Sequence, residues 1–282
     1  VLTEDARYIS ASMLKVYLSC PLEFYLKHIR RLKDEDETSM FMDSATYGSI
    51  IHKVLEDILG RFTGRQVTED NIRNILASDL SGFVTSVIDR EYYRGRYRGN
   101  LDIMPGEGAV LSEVIEKIVR RSLENDIVNT PFFFLVAESG PQGPWEMAPG
   151  LRLNFKSKID RVDMLSDGRL RFIDYKTGSD RFFFTSCENL FSKERKERND
   201  AVFQLLLYCH ATADMPVEYN PVLRKVQQID PTVNRCSEIK PEIFRLKSVY
   251  VDKNTYIAVG SEKRHDIIES FNDEAVSDFR KH

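Results

Sequence analysis

The sequence predicts an α/β fold in which a mixed, partly antiparallel sheet is flanked by helices. Two apolar-rich runs on either side of a turn signal make 155–175 typical of a β-hairpin. The run F-F-F-L-V-A-E at 132–138 is typical of a strand that begins the same sheet. Apolar residues at helical spacing predict one helix that opens at Gly48 and another over 201–213.

The composition is that of an ordinary globular chain, with 282 residues of which 42% are hydrophobic. No run is long and apolar enough to span a bilayer and no signal-peptide pattern is present, so we expect a cytoplasmic protein without a membrane partner. The net charge of −4 argues against a generally basic nucleic-acid coat but leaves a local basic groove open. Because the first residue is Val, we expect a fragment or a processed chain.

The first elements are expected to be two helices. Ser10 is placed to cap the first helix, and Cys20-Pro21 ends it. Leu22 and the aromatic residues beyond it predict a second, short helix that buries its apolar side chains. The basic residues within 27–33 are either solvated or in contact with nucleic acid.

We expect a single domain over 1–282 that carries a helical insertion at about 65–128. Apolar residues at helical spacing predict helices over 68–92 and 108–125 within this insertion. The stretch R-E-Y-Y-R-G-R-Y-R-G-N at 90–100 interleaves arginines with tyrosines. Such a segment either grips a single strand through charge and base stacking or is an exposed turn.

The remaining patterns are weaker. The stretch 139–150 is rich in Gly and Pro and predicts a loop. The stretches 219–226 and 244–251 predict strands, and 267–281 predicts a C-terminal helix.

Alternation along the hairpin groups three charged side chains on one face of the sheet. Asp174 and Lys176 are two residues apart on the second strand, so both point the same way. The first strand can bring Asp160 alongside them. Two carboxylates beside a lysine suit Mg²⁺ or Mn²⁺. Solvated charges at a strand end are the alternative for the same three residues.

Two helices carry polar pairs at a spacing of four, which places each pair on one helix face. His52 and Glu56 form the first pair, and Gln204 and Tyr208 form the second. A helical His is ordinarily a surface or hydrogen-bonded core residue, and a polar pair is ordinarily the exposed stripe of a packed helix. The patterns alone leave a ligand or binding role open for all four residues.

Four stretches, taken together and in this order, resemble the PD-(D/E)XK nuclease superfamily. Within it they resemble the RecB-like branch of helicase-associated nucleases, and above all the nuclease domain that ends AddB-type subunits. The stretches are S-A-S-M-L-K-V-Y-L-S-C-P-L-E-F-Y at 10–25, G-S-I-I-H-K-V-L-E at 48–56, I-D-R-V-D…I-D-Y-K-T-G at 159–178 and Q-L-L-L-Y at 204–208. The resemblance implies a restriction-endonuclease-like mixed sheet flanked by helices.

The resemblance also implies a role for each matching residue. The metal ligands for Mg²⁺ or Mn²⁺ would be His52, Asp160, Asp174 and the backbone carbonyl of Tyr175. The catalytic residues would be Asp160, Asp174 and Lys176, with the lysine steering the attacking water or stabilising charge. The DNA contacts would be Arg161, Gln204 and Tyr208, and the possible outer-shell acids are Glu56 and Glu138.

The four cysteines are far apart, and their spacing excludes a zinc ribbon and favours reduced cytoplasmic thiols; they are Cys20, Cys187, Cys209 and Cys236. Some RecB-like nucleases hold an iron–sulfur cluster with one cysteine in the N-terminal C-P element and three near the C-terminus. Cys20 matches the first, but no cysteine follows Cys236, so we expect no cluster. Lys158 stands where the family commonly has Gly before I-D-R, which adds positive charge.

The function that the resemblance implies is metal-dependent hydrolysis of DNA phosphodiesters. It would be an exonuclease module of a helicase–nuclease in DNA repair and recombination, with DNA and a helicase-bearing subunit as partners. The chain has no G-x-x-x-x-G-K-[ST], so no ATP-driven motor is expected in it. Two alternatives are a catalytically silent nuclease fold that binds DNA or braces a helicase partner, and an unrelated globular domain.

Overall fold

A five-stranded mixed sheet lies at the centre of the computed structural model, which describes residues 8–32, 43–178, 181–236, 238–246, 255–261 and 263–281. The strands are, in chain order, β1 (Arg65–Val67), β2 (Phe132–Ser139), β3 (Gln142–Ala148), β4 (Leu151–Lys156), β5 (Ile159–Leu165), β6 (Leu170–Lys176), β7 (Phe183–Phe184), β8 (Ile239–Arg245), β9 (Ile257–Ser261) and β10 (Arg264–Ile268).

The central sheet has the strand order β1-β2-β5-β6-β8. Its neighbouring strands are antiparallel except β6 and β8, which run parallel. Arg161 of β5 lies opposite Ile173 of β6, and the turn between these strands contains Gly168 at φ +85°. The expected mixed, partly antiparallel sheet is confirmed. Two smaller sheets have the orders β10-β9-β7 and β3-β4.

Most of the helices in the described part of the chain begin at a residue whose side chain caps the first turn. They are α1 (Ala11–Ser19), α2 (Pro21–Phe24), α3 (Ser44–Leu59), α4 (Glu69–Ala77), α5 (Leu80–Glu91), α6 (Gly106–Asp126), α7 (Cys187–Leu190), α8 (Asp200–Asp214), α9 (Pro221–Ile229) and α10 (Glu274–Ser277). Ser10, Asp43, Thr68 and Asn199 each accept a backbone N–H in the first turn that follows. None of the helices in the described part of the chain is long and apolar enough to cross a bilayer.

Helices cover both faces of the central sheet. On one face, Phe172 of β6 packs in the same apolar core as the buried residues of α8 and α9. On the other face, Ile173 and Tyr175 pack in a core with α3, α5 and α6. Alternation along β6 therefore directs Asp174 toward α8, while the backbone at Tyr175 stays within reach of α3.

The N-terminal helix α1 forms as expected, but the second helix does not bury its apolar side chains. It is only the four-residue α2 followed by a π-helical turn, Tyr25–Ile29. Leu22 is 64% exposed and Tyr25 is 46% exposed, so this expectation is wrong. Lys33, the last of the expected basic group at 27–33, lies outside the described residues.

The helical insertion expected at about 65–128 contains α4, α5 and α6, but it starts with the sheet strand β1. The single helix expected over 68–92 is two helices. Ser78 ends α4, and the carboxylate of Asp79 accepts the backbone N–H of Gly82 to start α5. A polar pair that can both stop and cap a helix therefore interrupts a continuous apolar pattern.

The loop expected over 139–150 is wrong, because β3 lies there and pairs with β4. Gly150, at φ +78°, allows the tight turn between these strands. The first strand of the predicted hairpin is also shorter than expected. The backbone N–H and hydroxyl of Ser157 both donate to the carbonyl of Pro141, each at 2.9 Å, and this separates β4 from β5.

Two expectations near the C-terminus are also wrong. The strand expected over 219–226 is the helix α9, since Asn220 caps it and Pro221 occupies its first position. The helix expected over 267–281 is the end of β10 followed by the short α10 and a 3₁₀ turn. The strand expected over 244–251 starts inside β8 and otherwise falls mostly outside the described residues.

Four buried charges join the insertion to the sheet, and we call them the buried charge cluster: Asp126, Arg161, Asp163 and Arg171. Arg161 donates to Asp126 at 2.5 Å, and Arg171 donates to Asp163 at 2.6 Å. Asp126 ends α6, whereas the other three residues lie on β5 and β6. Because each charge is paired and hydrogen-bonded, the cluster ties the helices to the sheet strands at the cost of desolvation.

We expect Asp163→Asn to lower the free energy of unfolding by about 3–5 kcal/mol, because it leaves buried guanidinium charge without compensation. Urea denaturation followed by circular dichroism measures this change. The matched control is Asp167→Asn, which removes the exposed pair with Arg169 and should change stability by less than about 1 kcal/mol. Equal unfolding midpoints for the two variants would show that the cluster is not structural.

Candidate functional site

Three side chains from different elements converge where strand β2 ends and strand β5 begins in the central sheet. His52 of α3, Glu138 at the end of β2 and Asp160 at the start of β5 each offer one ligand atom, and these atoms lie within 4.8 Å of one another. His52 is far from the other two in the sequence, and the β2–β5 pairing brings Glu138 and Asp160 together. We call these three residues the ligand group.

Close packing of α3 against the end of β6 positions His52. Gly48 lies one turn before His52 inside α3, so the expectation that it opens the helix is wrong. A Cβ at Gly48 would lie 2.9 Å from the Thr177 hydroxyl, which is tighter than ordinary contact. The missing side chain therefore lets α3 approach the strand that carries Asp174 and Lys176.

The two ring nitrogens of His52 face different partners. Nε2 lies 3.1 Å from the carbonyl of Tyr175, and Nδ1 lies 3.7 Å from Asp160 and 3.8 Å from Glu138. Burial opposes the charged imidazole, but the nearby carboxylates of Glu138 and Asp160 outweigh it and raise the pKa of His52. If Nε2 donates to Tyr175, Nδ1 faces two carboxylates across a position that suits a proton or a cation.

Glu138 reaches the ligand group through an unusual backbone conformation. Its φ is +50°, a left-handed value that is rare outside glycine. Its carboxylate also forms an ion pair with Lys158. Burial opposes ionisation, but the neighbouring imidazole of His52 and ammonium of Lys158 prevail, so the pKa of Glu138 is lowered. The sequence suggested only an outer acid here, whereas the structure groups this carboxylate with His52 and Asp160.

The surroundings of Asp160 disfavour the ionised form of its carboxylate, which creates electrostatic stress at this site. Its carboxylate accepts the backbone N–H of Tyr175 at 2.7 Å, and its side chain is largely buried. Burial, followed by the charge of Asp174, raises the pKa of Asp160 to about 7. A positive charge placed between these acids would relieve that stress.

Asp174 lies beside the ligand group, with partners of its own. It is 2% exposed and forms an ion pair with Lys176 at 2.5 Å. Its other oxygen accepts a hydrogen bond from the Gln204 amide at 3.3 Å. The Gln204 carbonyl oxygen in turn accepts from Lys15 of α1 at 2.7 Å, which fixes the orientation of the amide. No sequence pattern distinguished Lys15 from other helix-surface lysines, so this residue was missed.

The remaining site residues that the sequence predicted lie in three different environments. Tyr208 is 6% exposed, and burial, together with the charges of Asp174 and Asp160, raises its pKa, so it lies beside the same acids. Glu56 pairs with Lys53 at 2.8 Å and lines the cleft outside the ligand group. Arg161 is 1% exposed in the buried charge cluster. That burial corrects the expected DNA contact by Arg161, because its guanidinium has no path to a phosphate.

A cleft of about 330 Å³ opens onto the ligand group. It is lined by Ser49, His52, Lys53, Glu56, Glu91, Glu138 and Lys158. The mixture of carboxylate oxygens with one imidazole nitrogen is a donor set suited to a divalent cation. The lysines at the rim would favour an anionic ligand that approaches such a cation.

Comparison with known proteins gives a consistent result. A family model described as the PD-(D/E)XK nuclease superfamily matches residues 8–275. The chain is also similar to proteins that are each named as one subunit of an ATP-dependent helicase/deoxyribonuclease. The relative from Carboxydothermus hydrogenoformans is 29% identical over 190 residues, which cover 62% of this chain and 16% of the relative.

Two further relatives with the same name are similar over a larger share of the chain. The one from Clostridium perfringens is 25% identical over 219 residues, covering 72% of this chain and 17% of the relative. The one from Streptococcus agalactiae is 21% identical over 272 residues, covering 94% of this chain and 22% of the relative. The chain thus spans less than a quarter of the length of these relatives.

We expect Asp160→Asn and Glu138→Gln each to weaken Mn²⁺ binding more than about tenfold, since each removes a ligand charge from the group. Isothermal titration calorimetry with the purified protein measures the affinity. Glu56→Gln is the matched control, because Glu56 lines the same cleft without belonging to the ligand group. Equal affinities for all three variants and the unaltered protein would exclude the ligand group as the binding site.

Proposed function

The chain belongs to the PD-(D/E)XK nuclease superfamily, and from this premise we propose that it is the nuclease module of a helicase–nuclease that hydrolyses DNA phosphodiester bonds with Mg²⁺ or Mn²⁺. The observation that carries the proposal is the convergence of the ligand group beside the Asp174–Lys176 ion pair. Acids, an imidazole and a lysine at one strand edge form the donor set that such hydrolysis needs.

The ligand residues would hold the cation, with Asp174 as a further carboxylate at its side. A bound divalent cation supplies Lewis acidity and neutralises charge on the scissile phosphate. Asp160 is kept in place by the N–H of Tyr175, and Glu138 is shared with Lys158. If Glu138 held a cation, the ammonium of Lys158, whose side chain is 64% exposed, would become available to a phosphate.

Lys176 is the residue best placed to act on the reacting groups. Its side chain is 22% exposed, and Asp174 holds its ammonium at the edge of the ligand group. An ammonium in this position would orient the attacking water or stabilise the negative charge that develops on phosphate oxygens. Asp174 therefore has two tasks, to contribute negative charge to the cation and to position the lysine.

Gln204 acts through Asp174. Because Lys15 occupies the carbonyl oxygen of Gln204, the amide nitrogen is directed at the Asp174 carboxylate. Tyr208, one helical turn later and nearly buried, lies beside Asp174 and Asp160. We retain both residues as strand-positioning groups.

The names of the relatives support a proposal for the partners and the biological role of the chain. Their name combines a helicase with a deoxyribonuclease and describes one subunit of an assembly, which supports a helicase-bearing partner and a role in DNA repair and recombination. Such a module would act in the bacterial cytoplasm, where the chromosome lies. The alternative of a catalytically silent module is disfavoured, because every proposed catalytic side chain is present and grouped.

We expect Asp174→Ala and Lys176→Ala each to reduce DNA cleavage at least about 100-fold, because each removes a group that stabilises charge in the transition state. The measurement is release of acid-soluble nucleotide from labelled DNA in Mg²⁺ or Mn²⁺, with circular dichroism to confirm folding. Lys193→Ala, at an exposed loop position, is the matched control and should cleave normally. Cleavage at the control rate by either site variant would defeat the assignment.

A further inference from the structure

The turn that follows α5, residues 92–100, carries three exposed arginines: Arg94, Arg96 and Arg98. We call this segment the arginine turn. Within the described ranges, none of the three guanidiniums has an ion-pair partner, whereas the preceding Arg90 pairs with Asp57 at 2.6 Å and with Glu91 at 2.7 Å. The chain has a net charge of −4, so this local excess of positive charge is not a general property of its surface.

A buried acid gives the arginine turn its shape. Asp89 is 2% exposed, and its carboxylate accepts the backbone N–H groups of Tyr97 at 3.0 Å and Gly99 at 2.8 Å. The backbone carbonyl of the same residue accepts the N–H of Gly95 at 2.9 Å. Because Asp89 accepts three backbone hydrogen bonds, the turn is held in place and the arginines project from a preformed backbone.

Two of the arginines occupy backbone positions at which arginine is disfavoured. Arg94 has φ +58° and Arg98 has φ +51°, both in the left-handed region that glycine or asparagine adopts more easily. Tyr93 packs edge-to-face with both Tyr92 and Tyr97, at ring-centroid distances of 4.8 and 5.1 Å, beneath the turn. Backbone stability alone therefore does not explain arginine at these two positions.

The arginine turn begins directly after a residue that lines the candidate catalytic cleft. Glu91, the last residue of α5, lines the cleft together with His52 and Glu138. Arg94 is three residues further along, a separation that a chain can extend to roughly 11 Å at most. A strand whose phosphodiester lies at the ligand group would therefore pass the turn within a few nucleotides.

We propose that the arginine turn binds the phosphate backbone of the nucleic-acid strand that enters or leaves the cleft, a proposal that rests on the proposed nuclease function. Guanidiniums match phosphate oxygens in bidentate geometry, and three of them within five residues suit a row of phosphates rather than one small anion. The preformed backbone means that little conformational freedom is lost on binding. The turn thus holds the strand while the ligand group acts on it.

The test is the salt dependence of binding to a fluorescein-labelled oligothymidylate, measured by anisotropy in EDTA so that no cleavage occurs. Replacing Arg94, Arg96 and Arg98 together by Gln should reduce the slope of log K against log salt by about 2, because each lost phosphate contact removes about 0.7. The corresponding triple Lys variant keeps the charge and should keep the slope. An unchanged slope in the Gln variant would overturn the proposal.

The charge-matched control is the combination Arg73→Gln, Lys117→Gln and Arg224→Gln, which removes three exposed positive charges from helices elsewhere. It should leave the slope unchanged. A decrease in slope equal to that of the arginine-turn variant would show that net charge alone causes the effect, and would overturn the proposal. If the triple Gln variant folds poorly, Arg94→Gly with Arg98→Gly relieves the left-handed strain and should lower the slope by about 1.4.

Cleavage assays separate this proposal from the one on which it rests. Binding with the expected slope changes, but without cleavage in Mg²⁺ or Mn²⁺, would reject the nuclease function and retain the arginine turn as a strand-binding site. Cleavage by the unaltered protein with identical salt slopes in all variants would retain the nuclease function and reject the arginine turn. Absence of oligonucleotide binding by the unaltered protein at low salt would also reject the turn.

Discussion

The repulsion between two carboxylates in a largely buried site is the constraint on which the rest of the centre depends. Asp160 and Asp174 lie on neighbouring strands, and burial together with the charge of Asp174 raises the pKa of Asp160 to about 7. Lys176 pairs with Asp174, and the imidazole of His52 lies 3.7 Å from Asp160. This arrangement is costly without positive charge at its centre, and the side chains supply only part of that charge.

Three features of the fold keep these groups in place: a close helix–strand approach, the buried charge cluster and the backbone of Tyr175. The absent side chain of Gly48 allows α3 to bring His52 to the strand edge. On the opposite face of the sheet, the buried charge cluster locks β5 and β6 to α6, and Arg161 also donates to the hydroxyl of Tyr175 at 3.2 Å. The backbone N–H of Tyr175 donates to Asp160, and its carbonyl faces His52. Tyr175 therefore links the ligand group to the buried charge cluster on the opposite face of the sheet.

Sequence patterns predicted the parts of the site that follow from alternation along a strand. The β-hairpin and the shared face of Asp160 and Asp174 could be predicted because strand residues alternate with a period of two. The same rule places Arg161 on the opposite face from Asp160. The sequence itself therefore argued against a contact between Arg161 and DNA. The position of Glu138 depends on a left-handed backbone angle at a non-glycine residue, which no pattern signals. The contact from Lys15 depends on how α1 packs against α8, which local sequence does not determine.

The central claim is that the ligand group, rather than another cluster of acids, holds the divalent cation. A crystal structure of the protein soaked with Mn²⁺, with anomalous data collected at the manganese edge, tests this most directly. We expect an anomalous peak about 2.1 Å from oxygens of Glu138 and Asp160 and close to an imidazole nitrogen of His52, with Lys158 displaced from Glu138. A peak at other residues, or no peak with the Lys158–Glu138 pair intact, would contradict it.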